Sequence, residues 1–113
     1  MKSTERATQI WPLLCFAASN RQTITYERLS RLIAVLRPGL GQLLEPIQAY
    51  CLLKKLPALT SLVVRDESGL PGEGFFAASD IPGAHARVFS YDWSSVGCPS
   101  HEEFQHAVEE SRK

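Results

Sequence analysis

One spacing recurs three times in the first half of this sequence: apolar side chains at i, i+3, i+4 and i+7. Ile10, Leu13, Leu14 and Ala17 form the first set. Leu29, Leu32, Ile33 and Leu36 form the second, and Leu40, Leu43, Leu44 and Ile47 the third. Each set falls on one face of an α-helix. Three one-faced helices in succession must bury those faces against one another, so this half of the chain is committed to a helical core. Proline and turn residues punctuate it. Pro12 lacks an N–H, so the first helix is expected to kink, or to start near Trp11. Thr25, in a short β-branched run, is expected to cap the second helix. Arg37-Pro38-Gly39 breaks that helix, because the residue before a proline is pushed out of the helical region. Pro46 is expected to kink or split the third helix, whose apolar side continues through Cys51 and Leu52. Leu29, Leu32, Ile33, Leu40, Leu43, Leu44 and Val63 are expected to be buried together.

The pattern then changes. Leu59-Thr60-Ser61-Leu62-Val63-Val64 reads as a strand, Asp66-Glu67-Ser68-Gly69 as a turn, and Gly72-Glu73-Gly74-Phe75-Phe76 as a returning strand. Three helices followed by a two-stranded wing is the winged-helix order. The second and third helices, joined by about three or four residues, have the outline of a helix-turn-helix, which a generic helical hairpin shares. Two helices follow. The first starts at Asp80-Ile81-Pro82 and carries Ile81, Ala84, Val88 and Phe89 at helical spacing. Beyond the loop Gly97-Cys98-Pro99, Ser100 and Glu103 form a capping box. The last helix has a narrow apolar face of Phe104, Ala107 and Val108 and is expected to dock lightly. The expected fold is α+β and helix-dominated: a winged-helix-like domain of three helices plus a small β-hairpin, with two additional C-terminal helices. It is read as a single domain over 1–113, with the winged-helix-like unit over about 5–77 and the helical extension over about 78–113. A chain of 113 residues buries a core without disulfide or metal staples.

Net charge is zero, but it is divided unevenly. Residues 1–65 hold nine Lys/Arg and three acids, a balance of +6, and residues 66–113 hold the reverse. Such asymmetry points to an anionic partner for the basic half, although two solvated surfaces would show the same split. No apolar run reaches the roughly 18 residues of a membrane span. The polar N-terminus does not resemble a secretory signal. With three cysteines at scattered spacing, neither a disulfide framework nor a zinc site is expected, and a cytoplasmic location fits best.

Chemistry-bearing groups are sparse. Cys15 and Cys51 lie on apolar helical faces and read as buried structural thiols. Cys98 with nearby His101 lacks a third, orienting group. His101 and His106 are not at the i, i+4 spacing of a helical metal pair, and His85 stands alone. Gly39 and Gly41 precede a helix without the Lys and Ser/Thr of a phosphate loop. Tyr91-Asp92-Trp93 reads as a core cluster or, less readily, as an interaction patch. No catalytic residue, metal ligand or cofactor site is expected.

From Thr8 to Phe76 the order of features resembles the C-terminal DNA-binding domain of the O6-alkylguanine-DNA alkyltransferases and alkyltransferase-like proteins. The likeness starts at Ile10-Trp11. Thr25-Tyr26-Glu27-Arg28-Leu29-Ser30 is similar to the family's Thr-Tyr-Gly-x-Leu-Ala, and Leu32-Ile33 to its Leu-Ile-Gly-like ending. Residues 38–44 are similar to the family's recognition helix. Residues 59–64 fall where the family has Pro-Cys-His-Arg-Val-Val, and Gly72-Glu73-Gly74-Phe75 where it has Gly-Gly-Phe. The resemblance implies a winged-helix DNA-binding fold in which Tyr26 is a DNA contact. It also shows what is replaced. Thr60 stands at the alkyl-accepting cysteine, Ser61 at the histidine, Leu62 at the arginine, and Pro38 at the arginine that fills the space of a flipped base. A thiolate is an effective nucleophile near neutral pH, whereas a threonine hydroxyl without a base is inert. Alkyl transfer is therefore not expected. The sequence points to a non-catalytic module binding nucleic acid, duplex DNA in the first instance. Tyr26, Arg28, Arg31, Arg37 and Gln42 would contact phosphates or base edges, with Arg65 on the wing. The alternative is a protein-interaction module, immunity- or antitoxin-like or an accessory subunit, that uses the acidic C-terminal half.

Overall fold

The computed structural model describes residues 2–72, 75 and 77–113. Its elements are α1 (Ser3–Ser19), β1 (Ile24–Thr25), α2 (Tyr26–Ile33), α3 (Leu40–Leu53), β2 (Val63–Val64), α4 (Ile81–Ser90) and α5 (His101–Ser111), with 3-10 turns at Arg37–Gly39, Leu59–Leu62 and Trp93–Ser95. This is the helix-dominated α+β class, with two helices added after the β2 region. α1 runs unbroken through Pro12 instead of starting near it. Pro12 has no N–H to offer the Thr8 carbonyl four residues back. The Cys98 thiol lies 3.8 Å from that carbonyl. Pro46 is likewise accommodated within α3.

Trp11 organises the core. It is buried on α1 and makes edge-on contacts with Tyr50 of α3 and Trp93, both at 5.7 Å between ring centres, and a tilted one with Phe104 of α5 at 5.9 Å. Its indole N–H donates to the Gly97 carbonyl at 2.8 Å, as a buried Trp requires. α5 is therefore seated in the core, not lightly docked: Phe104 is fully buried, and Ala107 and Val108 are buried with it. Both halves of its capping box form, Glu103 N to Ser100 Oγ at 3.2 Å and Ser100 N to Glu103 Oε1 at 3.0 Å. Trp93 donates to the Val88 carbonyl and belongs to the core cluster. Tyr91 packs on it from the surface at 4.8 Å.

Three expectations are corrected. First, α2 stops at Ile33, because Ala34 takes the left-handed conformation at φ 57° and caps it. The link to α3 is thus six residues, 34–39. Leu36 leaves the helix and is 84% exposed, and Leu32 sits on the outer face at 56%. Leu29 and Ile33 are the buried apolar side chains of α2, with Tyr26 packed half-buried beside the core; Leu40, Leu44 and Val63 join them, with Leu43 half-buried. Second, residues 59–62 form a 3-10 turn instead of a strand. Third, the sheet is a parallel pairing of β1 with β2, Ile24 to Val63 and Thr25 to Val64. Among the described residues, the pairing of the expected hairpin is an antiparallel bridge from Val64 to Pro71. Its turn is closed by Gly69 N to Arg65 O at 2.8 Å, where Gly69 adopts φ 69°, a conformation glycine takes without Cβ strain. Of the expected returning strand, Glu73, Gly74 and Phe76 lie outside the described residues.

Candidate nucleic-acid interface and the adjoining cavity

Thr25 fixes the start of α2, its Oγ1 accepting from Arg28 N at 3.1 Å. Arg28 and Arg31 then emerge one turn apart on the exposed side, flanking Leu32. Arg37, in the 3-10 turn, folds back over the Tyr26 ring at 5.8 Å and pairs with Glu27 at 3.7 Å. Gln42 is exposed on the first turn of α3. The link between α2 and α3 thus brings Tyr26, Arg37 and Gln42 to one corner, with Arg28 and Arg31 along the neighbouring helix. Arg65 follows Val64, the partner of Thr25 in the parallel pair, and so lies near the start of α2, half-buried and engaged within the chain. Tyr26 also has a structural role: its hydroxyl accepts from Gly72 N at 3.0 Å, tying the segment after β2 to the start of α2.

Sequence reasoning did not anticipate what lies behind this corner. A cavity of about 770 Å³ opens between α3 and α5. Tyr26 and Gln42 line one end. Ala49, Leu52 and Leu53 of α3, Ala107 of α5, Thr60 and Phe75 are among the other wall residues, as is the buried Gln48. Glu45 and Arg112, also on the wall, pair with each other at 2.9 Å. Thr60 is only 5% exposed, and its Oγ1 has no hydrogen-bond partner. The same holds for the hydroxyl of adjacent Ser61, whose carbonyl instead accepts from His85 Nε2 of α4 at 2.7 Å. Two such neighbouring orphans are unusual in a native interior.

The thiols point away from nucleophilic chemistry. Burial pushes Cys15 and Cys51 each up to about 12, so both stay protonated at neutral pH. Burial and the nearby Glu103 carboxylate also raise Cys98. His101 pairs with Glu102 at 2.8 Å. Among the described residues no three His, Cys, Asp or Glu gather as a metal site, and no helix is long and apolar enough to cross a membrane. No protein-family model, curated protein or solved structure matches this chain.

Proposed function

We propose that the protein is a non-catalytic nucleic-acid-binding module that engages duplex DNA through the α2–α3 corner. The observation that carries this reading is the exposure of Arg28, Arg31 and Arg37 on two adjoining elements beside Tyr26 and Gln42. Guanidinium groups of this kind bind phosphates, and Arg and Gln at a helix start also read base edges. The resemblance to the alkyltransferase DNA-binding domain supports the same face. Tyr26, its retained DNA contact, shares a cavity with Thr60, the residue at the family's alkyl-accepting position. With threonine there, the module binds without transferring an alkyl group.

The test is fluorescence anisotropy with labelled duplex and single-stranded DNA at about 50 mM salt, where phosphate-driven binding is strongest. The wild type binds, and the triple variant R28Q/R31Q/R37Q loses at least tenfold in affinity. Equal affinity of the two proteins would refute this face. Absence of binding by the wild type would refute the reading and leave the protein-interaction alternative.

A further inference from the structure

We propose that Leu36 is an apolar wedge that enters the base stack of duplex DNA, so that the α2–α3 corner selects duplexes with easily unstacked pyrimidine–purine steps. This role rests on the nucleic-acid reading and adds to it how the face distorts its ligand. Leu36 is 84% exposed, more than any other large apolar side chain among the described residues. Its backbone is held on both sides. Before it, Val35 N donates to the Ser30 carbonyl at 3.0 Å across the left-handed Ala34. The Arg6 guanidinium donates to the Ile33 carbonyl at 2.8 Å, and Val35 packs against the core. After it, Gly39 N donates to the Leu36 carbonyl at 3.1 Å, and the Pro38 ring fixes its own φ. The leucine is therefore carried on an anchored mount, with Arg37 next to it and Arg28 and Arg31 exposed on α2. These cations choose the occupant. A second copy of this face would set the arginines against their own kind. A lipid surface is held by a far larger apolar face than Leu36 and the half-exposed Leu32 supply. A duplex takes both parts: its phosphates pair with the guanidinium groups, and its base stack accepts an apolar side chain. Leucine wedges beside cations partly unstack a base step and kink the helix. That distortion costs least at TA and CA/TG steps and most in stiff A-tracts.

The test uses the full-length protein at about 50 mM salt and two duplexes of equal length, one with central TA steps and one with an A-tract. In the first, 2-aminopurine, whose fluorescence is quenched within the stack, replaces one adenine of a TA step. The wild type should raise this emission about twofold or more at saturation and should favour the TA duplex about three- to tenfold. L36S changes an exposed side chain outside the core, so the fold tolerates it. It should still bind, with the emission near that of the free duplex and the preference lost. L36F, which keeps an apolar wedge, should keep both effects. R28Q/R31Q/R37Q should lose binding itself. Wild-type binding without a rise in emission, an equal rise with L36S, or loss of the rise in L36F would each overturn the wedge and leave the nucleic-acid reading standing. No wild-type binding to either duplex would overturn both. Leu36-dependent sedimentation with phosphatidylserine vesicles, without any 2-aminopurine response, would overturn the wedge in favour of a lipid surface.

Discussion

Thr60 is buried, and its hydroxyl has no hydrogen-bond partner. A hydroxyl with no partner and no adjacent base is not deprotonated at neutral pH, so incubation with O6-methylguanine DNA should leave the intact protein mass unchanged. A stoichiometric methyl gain would contradict this. The same orphaned hydroxyl should lower stability: isosteric T60V removes its desolvation penalty and should raise unfolding stability by about 1 kcal/mol in urea titrations. The thiols set a pH limit. Cys15 and Cys51 ionise near 12 in the folded protein against an ordinary 9.0. For a group whose folded pKa is raised because its anion is disfavoured, the unfolded chain releases the proton first. Stability is therefore full below about pH 9 and falls as pH rises toward 12, with a slope of up to about 1.4 kcal/mol per pH unit for the buried Cys51 and a smaller one for the partly exposed Cys15, which water screens. Urea midpoints measured from pH 7 to 11 should decline above pH 9, and less steeply in C51A. A flat profile would show that the thiols are not shielded.

At the scale of elements, contrasting leucines test the register of α2. Leu29 is fully buried and Leu32 is 56% exposed. L29A should cost about 2–5 kcal/mol, and L32A less than about 0.5. Similar losses at both positions would mean that the helix is rotated. The capped starts of α2 and α5 were legible because Thr25, Ser100 and Glu103 act on backbone within three residues. The stripes on α1 and α3 were legible for the same local reason. The end of α2 was not: an alanine in the left-handed conformation has no signature, since glycine usually holds that place. Nor was the parallel β1–β2 pair, whose partners Ile24 and Val63 are joined by tertiary packing and not by a turn. Of the candidate site, the arginines were visible as charge, whereas the cavity depends on how α5 lies against α3. That packing also decides what removal of the acidic tail should do. Truncation from Ser100 removes Phe104 from the Trp11 cluster. F104A alone should cost about 3–5 kcal/mol in denaturant unfolding, so the truncated chain should bind DNA no better and should unfold more readily. A stable truncated protein would restore the idea of a light, removable tail.

Across the whole molecule, the uneven charge matters only where it faces a polyanion. Three exposed arginines at the α2–α3 corner, each neutralising one phosphate, predict a log–log salt slope on duplex DNA of about −3, at ~0.9 per contact. The three are not equivalent. No acidic partner of Arg28 or Arg31 occurs among the described residues, whereas Arg37 lies 3.7 Å from Glu27. Both members of that pair are exposed, so the pair adds little to stability, yet Glu27 is a negative charge set among the cations that would meet DNA. E27Q should consequently leave the unfolding midpoint nearly unchanged while tightening duplex binding by about two- to fivefold at 50 mM salt, and the gain should fade toward 0.5 M as the Debye length shrinks. R28Q should reduce the salt slope by about one unit, and R37Q by less, because its charge is partly answered within the protein. Anisotropy titrations of wild type, E27Q, R28Q and R37Q over a salt series measure all of these effects together. Weaker binding by E27Q at low salt would place the phosphates on some other face, since on this one an acid can only oppose them.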